Sequence, residues 1–246
     1  MNRVLTIMTA LIVAVQGCLA SSDSTKYTND TVKFEVKQII APTSMIAAGA
    51  LFVGIKPLVQ ARKWVNKEVG VHKTKADEYI QYLPAAAYLG LEYTGLKCRR
   101  PIVDRLIVGV TSTIIMTAVT QGIKYTVNEQ RPDSDKKNSF PSGHSATAFM
   151  GAELLRQEYG PWVGAAGYVV ASGVGVMRIL NGRHWLNDVV AGAGIGILSA
   201  KAGEWLLPFN RRWMGLDKHR KGTAAVVLPT YNAETNALGL TAAVIF

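Results

Sequence analysis

Six long apolar segments, separated by short polar stretches, constrain the fold of this chain more than any other feature. Their length and their Ala, Gly and Leu content favour helices over strands. Gly and Pro mark the breaks, as at Gly95, Gly160-Pro161 and Pro208. No linker interrupts the 246 residues, so the sequence predicts an all-α fold, a compact bundle of about six apolar helices. The segments are Ile39–Ile55, Tyr79–Leu91, Ile102–Val127, Ser145–Gln157, Pro161–Leu180 and Leu186–Leu206.

Small residues within two of these segments predict close helix packing. Ala191 to Gly196 places them along one helix, and Gly164 to Gly167 along another. Such runs let backbones approach each other, in membrane bundles and in tight soluble bundles alike.

The charge pattern leaves the relation to a bilayer open. Basic clusters follow both the first segment (Lys56 to Lys75) and the second (Lys97 to Arg100). Two spanning segments would place these clusters on opposite sides, against the positive-inside rule. The mean hydropathy of +0.16 is also low for six lipid-exposed helices. A six-span protein and a compact exported domain lying against a membrane both fit, so a membrane surface or a bilayer is the expected partner.

The start of the chain predicts export. Residues 1–20 combine a charged start, an apolar run and a small-residue end, as a signal peptide does. The alternative is cleavage before Cys18, within Val15-Gln16-Gly17-Cys18, which would attach lipid to that cysteine. Cys98 is the second and last cysteine, which excludes a disulfide framework and a cysteine-rich metal site.

Domain boundaries follow from the same composition shifts. Residues 21–35 are predicted to be a mobile polar segment and residues 36–210 the helical domain. Residues 211–246 are interpreted as a basic linker followed by a C-terminal β-hairpin, with strands at Thr223–Pro229 and Leu238–Phe246. The formal net charge of +10 favours anionic partners. Nucleic acid and an obligate protein partner are not expected.

The tetrapeptide Pro141-Ser142-Gly143-His144 lies between a charged loop and an apolar run. That context predicts a loop entering a helix, where backbone N–H groups and the helix dipole favour an anion. Gly143 permits close approach, Ser142 adds a hydroxyl, and His144 could protonate a leaving oxygen. The alternative is an N-cap serine beside a surface histidine.

A second group comprises Arg178, His184 and Asp188. His184 and Asp188 are four residues apart, so on a helix they would share a face. The carboxylate would then hold one imidazole nitrogen and leave the other free to attack. The forked donors of Arg178 suit phosphate oxygens. An exposed helix salt bridge is the alternative interpretation of the His/Asp pair.

Lys124 and Arg131 supply two further cations, one from a helix end and one from the loop beyond it. Pro132 biases Arg131 toward extended backbone. For Lys124 alone, a snorkelling lysine at a helix end is the alternative. Together the three groups predict a phosphate clamp around a nucleophilic histidine.

The order and spacing of these motifs resemble the type 2 phosphatidic acid phosphatase superfamily. That superfamily also contains the bacterial class A acid phosphatases and the vanadium haloperoxidases. The matching motifs are Lys-x6-Arg-Pro at Lys124 to Pro132, Pro-Ser-Gly-His at Pro141 to His144, and Arg-x5-His-x3-Asp from Arg178. Met177 replaces the serine that usually precedes the arginine.

The resemblance implies an all-helical core and a metal-independent hydrolase without a cofactor. His184 would attack phosphorus and form a phosphohistidine, Asp188 would orient it, and His144 would protonate the leaving alcohol and then activate water. The other matching residues would bind the phosphoryl oxygens: Lys124, Arg131, Ser142, Gly143 and Arg178.

We therefore expect a phosphatase of a bacterial envelope lipid, such as lipid A, undecaprenyl diphosphate or phosphatidic acid, with an active site that faces the periplasm. A soluble periplasmic acid phosphatase is the main alternative. A vanadate-dependent haloperoxidase and an envelope binding protein with an inactive clamp are the others.

Overall fold

A computed structural model describes residues 34–69, 74–216, 224–232 and 237–245. Most of the described residues are helical, which confirms the predicted all-α class. Eight helices lie in the described residues before Leu207: α1 Lys37–Gly54, α2 Lys56–Val69, α3 Ala76–Ile80, α4 Leu83–Gly90, α5 Ile102–Val127, α6 Gly143–Tyr159, α7 Pro161–Leu180 and α8 Leu186–Trp205. A 3₁₀ turn, Leu91–Thr94, follows α4.

Two long helices, α5 and α7, have the bounds that the sequence predicted, because residues at their termini carry strong local signals. Pro101 precedes α5 and Pro161 begins α7, both at positions where a missing N–H costs nothing. Asn128 ends α5 in the left-handed conformation, with φ of 49°.

Two other regions correct the prediction. The apolar segment Tyr79–Leu91 is broken into α3 and α4, because Pro84 lacks an N–H and its ring would clash with the carbonyl of residue 80. The basic stretch after α1, interpreted only as a charged cluster, forms α2.

The core lies around α6, which packs against α4, α5, α7 and α8. Its buried side chains are small or flexible, among them Ala146, Met150 and Leu154, and they meet Val108 of α5 and Ile195 of α8. Burial of such apolar groups supplies the main favourable free energy of the bundle.

Close contact between α8 and its neighbours confirms the predicted packing of small residues. A Cβ atom at Gly192 would lie 2.4 Å from the Ser142 carbonyl oxygen, and one at Gly196 would lie 2.2 Å from that of Ala146. At Gly194 the neighbour is the Pro42 carbonyl oxygen of α1, at 2.5 Å. Any larger residue at these positions would force the helices apart.

These contacts also show how α6 and α8 are oriented relative to each other. Gly192 meets residue 142 and Gly196 meets residue 146, so α6 and α8 run parallel and begin at the same end of the bundle. The backbone N–H of Ser142 donates to the Asp188 carbonyl at 2.9 Å there. We call this the site end of the bundle.

Buried ion pairs lie at the opposite end, where α5 begins and where α6 and α8 end. Arg100 binds Glu158, at 3.5 Å, and Glu204. Arg105, which is fully buried, binds Glu92 and donates to the Tyr159 hydroxyl at 2.9 Å. From Arg105 to Lys124, α5 rises roughly 30 Å, so this paired end is remote from the site end.

Three described helices are long and apolar enough to cross a membrane, by length and composition: α1, α5 and α7. They indicate association with a membrane. Exposed apolar side chains along them, such as Ile114 of α5 and Val169 of α7, fit such surroundings.

Residues from Pro208 onward form a separate compact unit. Helix α9, Leu207–Trp213, leads into it, and the strands β1 (Ala224–Asn232) and β2 (Ala237–Ile245) pair antiparallel, with Ala224 opposite Ile245. Residues 233–236, which would form the turn, lie outside the described residues, so the hairpin stays a prediction. The predicted signal peptide, the lipid attachment at Cys18 and most of the polar segment 21–35 also lie outside them, and the domain boundaries stay predictions.

Candidate active site

A cavity of about 420 Å³ opens at the site end, where the three sequence motifs meet. Six of the eight predicted site residues line it: Lys124, Arg131, Gly143, His144, Arg178 and His184. Apart from Gly143, every lining residue is polar or charged. The cavity therefore suits an anionic polar group.

The remaining two residues, Ser142 and Asp188, lie behind the cavity wall, and both are fully buried. Ser142 is the N-cap of α6: its Oγ accepts from the Ser145 N–H at 3.4 Å and from the Ser145 hydroxyl at 3.0 Å. Ser142 is thus an N-cap serine, as the alternative interpretation has it, but His144 beside it lines the cavity. The phosphate-binding role of Ser142 stays a prediction.

His184 and Asp188 form a buried pair, with His184 Nδ1 3.4 Å from Asp188 Oδ2. The prediction that they share a helical face is wrong. His184 precedes Trp185, the N-cap of α8, while Asp188 lies in its first turn. The carboxylate therefore reaches back from the helix start to the loop. His184 itself lines the cavity.

Three donors fix the Asp188 carboxylate. Its Oδ2 accepts from the Ser139 hydroxyl and from the Trp185 N–H at 2.9 Å, and its Oδ1 accepts from the Asn187 amide at 3.0 Å. Sequence reasoning missed Ser139 and Asn187. The available signals were their positions, three residues before Ser142 and next to Asp188, and neither position is specific.

Lys124 and Arg131 converge on Asn138, in the loop between α5 and α6. The Lys124 ammonium donates to the Asn138 carbonyl at 2.7 Å, and Arg131 Nε donates to the Asn138 side-chain oxygen at 2.8 Å. Within the described part of the chain, neither cation lies within 4 Å of a carboxylate. Neutral oxygens thus orient both cations without cancelling their charge.

Arg178 is held differently, by a carboxylate from outside the motifs. Its Nη1 donates to Asp77 Oδ2 at 2.6 Å, and the Asn181 amide donates to Asp77 Oδ1 at 3.0 Å. The Asn181 amide also exchanges hydrogen bonds with the Thr74 backbone, at 2.9 and 3.0 Å. Arg178 Nε is buried without a hydrogen-bond partner in the described structure. One donor of the guanidinium group, the Nε–H, is therefore not used within the described structure.

Four further residues line the cavity without having been predicted: Glu78, Gln121, Asn138 and Arg183. Arg183 pairs with Asp133 at 3.2 Å and is half exposed. Its place next to His184 in the sequence was a signal, but a lone basic residue there has many explanations.

The surroundings of the two histidines favour neutral rings. Burial, and then the charge of Arg178, lowers the pKa of His144 to about 4. Burial, followed by the charges of Arg178, Lys124 and Arg131, holds the pKa of His184 well below its usual range. The Ser139 backbone, which approaches the His184 ring outside hydrogen-bond geometry, raises this pKa only in part. At neutral pH the rings are therefore uncharged bases facing fixed cations.

The first turn of α6 adds backbone donors. The initial N–H groups of a helix have no acceptor within the helix, and Gly143 and His144 line the cavity there. Such a turn attracts anions. Among the described residues no three His, Cys, Asp or Glu side chains are grouped to hold a metal ion; the metal-independent reaction stays a prediction.

Comparisons with known proteins match this arrangement. Residues 105–212, which carry all three motifs, match the model of the PAP2 superfamily. A lipid A 1-phosphatase from Porphyromonas gingivalis is 36% identical over 166 residues, an alignment that covers 66% of this chain. The chain spans only 37% of the length of that relative.

Two solved structures are also similar. One is a transmembrane PAP2 type phosphatidylglycerolphosphate phosphatase from Bacillus subtilis, with a TM-score of 0.47, 19% identity, and coverage of 73% of this chain and 99% of the other. The second is Aquifex aeolicus LpxE, with a TM-score of 0.45, 21% identity, and coverage of 59% and 93%.

Proposed function

The chain belongs to the PAP2 superfamily, and from this premise we propose that it is a phosphatase that removes phosphate from a bacterial envelope lipid. One observation carries the proposal: a buried His184–Asp188 pair faces a polar cavity into which cations from α5, the following loop and α7 converge. A cavity built in this way binds a phosphate group and presents it to a nucleophile.

The first half-reaction forms a phosphohistidine. Lys124, Arg131 and Arg178 bind the phosphoryl oxygens. The negative charge of the bound phosphate offsets these cations and raises the pKa of His144, which takes up a proton from solvent. The free nitrogen of His184 attacks phosphorus while the bond from phosphorus to the leaving oxygen breaks. Asp188 stabilises the positive charge that develops on the imidazole, and protonated His144 gives its proton to the leaving alcohol.

The second half-reaction reverses these roles. His144, now neutral, accepts a proton from water as the water oxygen attacks phosphorus. The bond between His184 and phosphorus breaks, and inorganic phosphate leaves. Positioned cations supply most of the stabilisation in both steps.

The substrate is assigned to the envelope lipids because three features agree. The relative that aligns with two thirds of the chain is named a lipid A 1-phosphatase. Three helices have the length and composition of membrane spans. The cavity itself is lined by polar groups and glycine, so it takes a headgroup and leaves acyl chains outside. We place the active site at the periplasmic face, where an exported enzyme meets lipid A.

The test is phosphate release by the purified full-length chain in detergent micelles and liposomes. The panel comprises lipid A, phosphatidic acid, undecaprenyl diphosphate and p-nitrophenyl phosphate. We expect lipid A or another phospholipid to be the best substrate and His184→Gln to abolish its turnover. Lys137→Ala, an exposed lysine of the α5–α6 loop, is the matched control and should keep full activity.

Two outcomes would contradict the proposal. Unchanged turnover in His184→Gln would remove the assigned nucleophile. Turnover of p-nitrophenyl phosphate well above that of every lipid would favour a soluble-ester phosphatase. A radiolabelled acid-labile, base-stable phosphoenzyme in rapidly quenched wild-type samples would support the phosphohistidine directly.

A further inference from the structure

Ser139 contacts residues of two sequence motifs and lies just before the third, although it belongs to none of them. Its hydroxyl donates to Asp188 Oδ2, and its carbonyl accepts from the Lys124 ammonium at 3.4 Å. Its own N–H donates to the Glu129 carbonyl at 2.9 Å, and it lies three residues before Ser142. The side chain is fully buried. A polar group in that position is held for its hydrogen bonds rather than for contact with solvent.

The hydroxyl competes with His184 for one oxygen. A carboxylate oxygen offers about two lone-pair directions. At Asp188 Oδ2 the donors in place are the Ser139 hydroxyl and the Trp185 N–H. His184 Nδ1, 3.4 Å from the same oxygen, is buried and makes no aligned hydrogen bond within the described residues.

We propose that Ser139 is a positioning residue: its hydroxyl occupies Asp188 Oδ2 and so limits how strongly that carboxylate stabilises a charged His184 ring. The inference rests on the proposed function, because it concerns the same nucleophile. The inference goes beyond the proposed function because Ser139 would change the pKa of His184 through Asp188, without contacting the substrate.

The physical consequence is a balance between the two half-reactions. A hydroxyl bound to the carboxylate disperses its negative charge, so Asp188 interacts less strongly with a positive imidazole. The neutral, attacking form of His184 is thereby favoured in the empty cavity, and the phosphohistidine is not over-stabilised. Other charged groups facing the ring are Lys124 on α5, Arg131 in the following loop and Arg178 on α7; these remain in place when Ser139 changes.

The decisive variant is Ser139→Ala in the full-length protein, with Ser112→Ala as the matched control. Ser112 is also a fully buried serine, and its hydroxyl donates to the Val108 carbonyl at 2.7 Å within α5, away from the cavity. Two measurements are needed: the pKa of His184 by NMR of labelled imidazoles, of which the chain has four, and the acidic limb of kcat/KM against pH.

We expect Ser139→Ala to raise the pKa of His184 and to move the acidic limb of kcat/KM toward higher pH. On the acidic side of the limb, kcat/KM should fall about tenfold, the effect of one hydrogen bond to a charged group. Ser112→Ala should leave both measurements unchanged. A residue with a merely structural role would lower stability without moving either pH-dependent quantity.

A folded Ser139→Ala protein with an unchanged His184 pKa and an unchanged acidic limb would overturn the inference. If Ser139→Ala does not fold, Ser139→Cys keeps the volume with a weak donor, and the same shift in smaller degree is expected. The two proposals fail separately. If the wild-type protein has no phosphatase activity but Ser139→Ala still changes the pKa of His184, only the proposed function is contradicted.

Discussion

The two ends of the helical bundle both concentrate arginine and lysine, but they use these cations in opposite ways. At the paired end, Arg100 and Arg105 are buried against the carboxylates of Glu158, Glu204 and Glu92. At the site end, Lys124 and Arg131 are oriented by carbonyl and amide oxygens of the α5–α6 loop. Positive charge alone therefore does not mark an anion site; what marks it is charge that is positioned but not neutralised.

Arg178 lies between these cases and sharpens the comparison. It is a site-end cation with a carboxylate partner, Asp77, yet its Nε has no partner within the described structure. Asp77 accepts from one guanidinium nitrogen, Nη1, and so orients Arg178 without pairing with Nε. The comparison predicts that variants at the paired end act on stability, variants at the site end act on activity, and Asp77 variants act on both.

The largest effect is expected for Glu204→Gln at the paired end. Glu204 binds both Arg99, at 3.1 Å, and Arg100. Removal of the charge breaks the buried pair with Arg100, which keeps only the longer contact to Glu158 among the described residues. Breaking a buried ion pair typically costs about 3–5 kcal/mol of unfolding free energy. Denaturant unfolding should show this loss, while kcat/KM per folded molecule stays at the wild-type value. Glu35→Gln, an exposed glutamate, is the control. A stable but inactive Glu204→Gln protein would break the comparison.

The next largest effect is expected for Arg131→Ala at the site end, where activity should fall and stability should be retained. Loss of one positioned donor to the transferred group should lower kcat/KM by about 10²–10³-fold. The unfolding free energy should stay near the wild-type value, because Arg131 has no carboxylate partner within the described residues. Steady-state kinetics and thermal unfolding on the same preparation give both numbers. A large fall in melting temperature with kcat/KM intact would show that the cation is structural.

A smaller, mixed effect is expected for Asp77→Asn. The hydrogen bond to a charged partner is worth about 1.5–3 kcal/mol, so kcat/KM should fall about 10–100-fold because Arg178 is no longer held. In the double variant with Arg178→Ala the two losses should not add, because both act through the same guanidinium. Additive losses would mean that Asp77 acts on the site by another route.

The last prediction concerns pH and His144, a histidine of the site end. The pKa of His144 is about 4 in the folded protein and about 6.5 in the unfolded chain. Between these values the unfolded state binds more protons, so stability is full above about pH 6.5 and declines as pH falls toward 4. Thermal unfolding across this range should show the decline, and His144→Gln should flatten it. A steeper decline in His144→Gln would contradict the assignment.

The sequence was most informative where the determinants are local. The ends of α5 and α7 were predictable from proline and asparagine at their termini, and the three motifs identified six of the residues that line the cavity. The break between α3 and α4 was missed because Tyr79–Leu91 is apolar apart from Gln81, so Pro84 was the main signal of a break. The helix α2 was missed because its charges obscured its periodicity.

Contacts between distant residues were beyond sequence reasoning. Asp77 meets Arg178 across 101 residues, and Ser139 meets Asp188 across 49. An aspartate in a short helix and a serine in a loop have no local pattern that separates them from solvated residues. Their roles depend on burial and direction, which only the packed bundle defines.

The tie between Ser142 and Asp188 runs through main-chain atoms, and at Gly192 the two helices approach too closely for a side chain. The backbone therefore sets the spacing between the loop that carries His184 and the helix start that carries His144. Side chains elsewhere in the bundle can be exchanged, to refit the protein to another bilayer or another headgroup, without resetting that spacing. A side chain at Gly192 would change that spacing directly, because it would meet the Ser142 carbonyl.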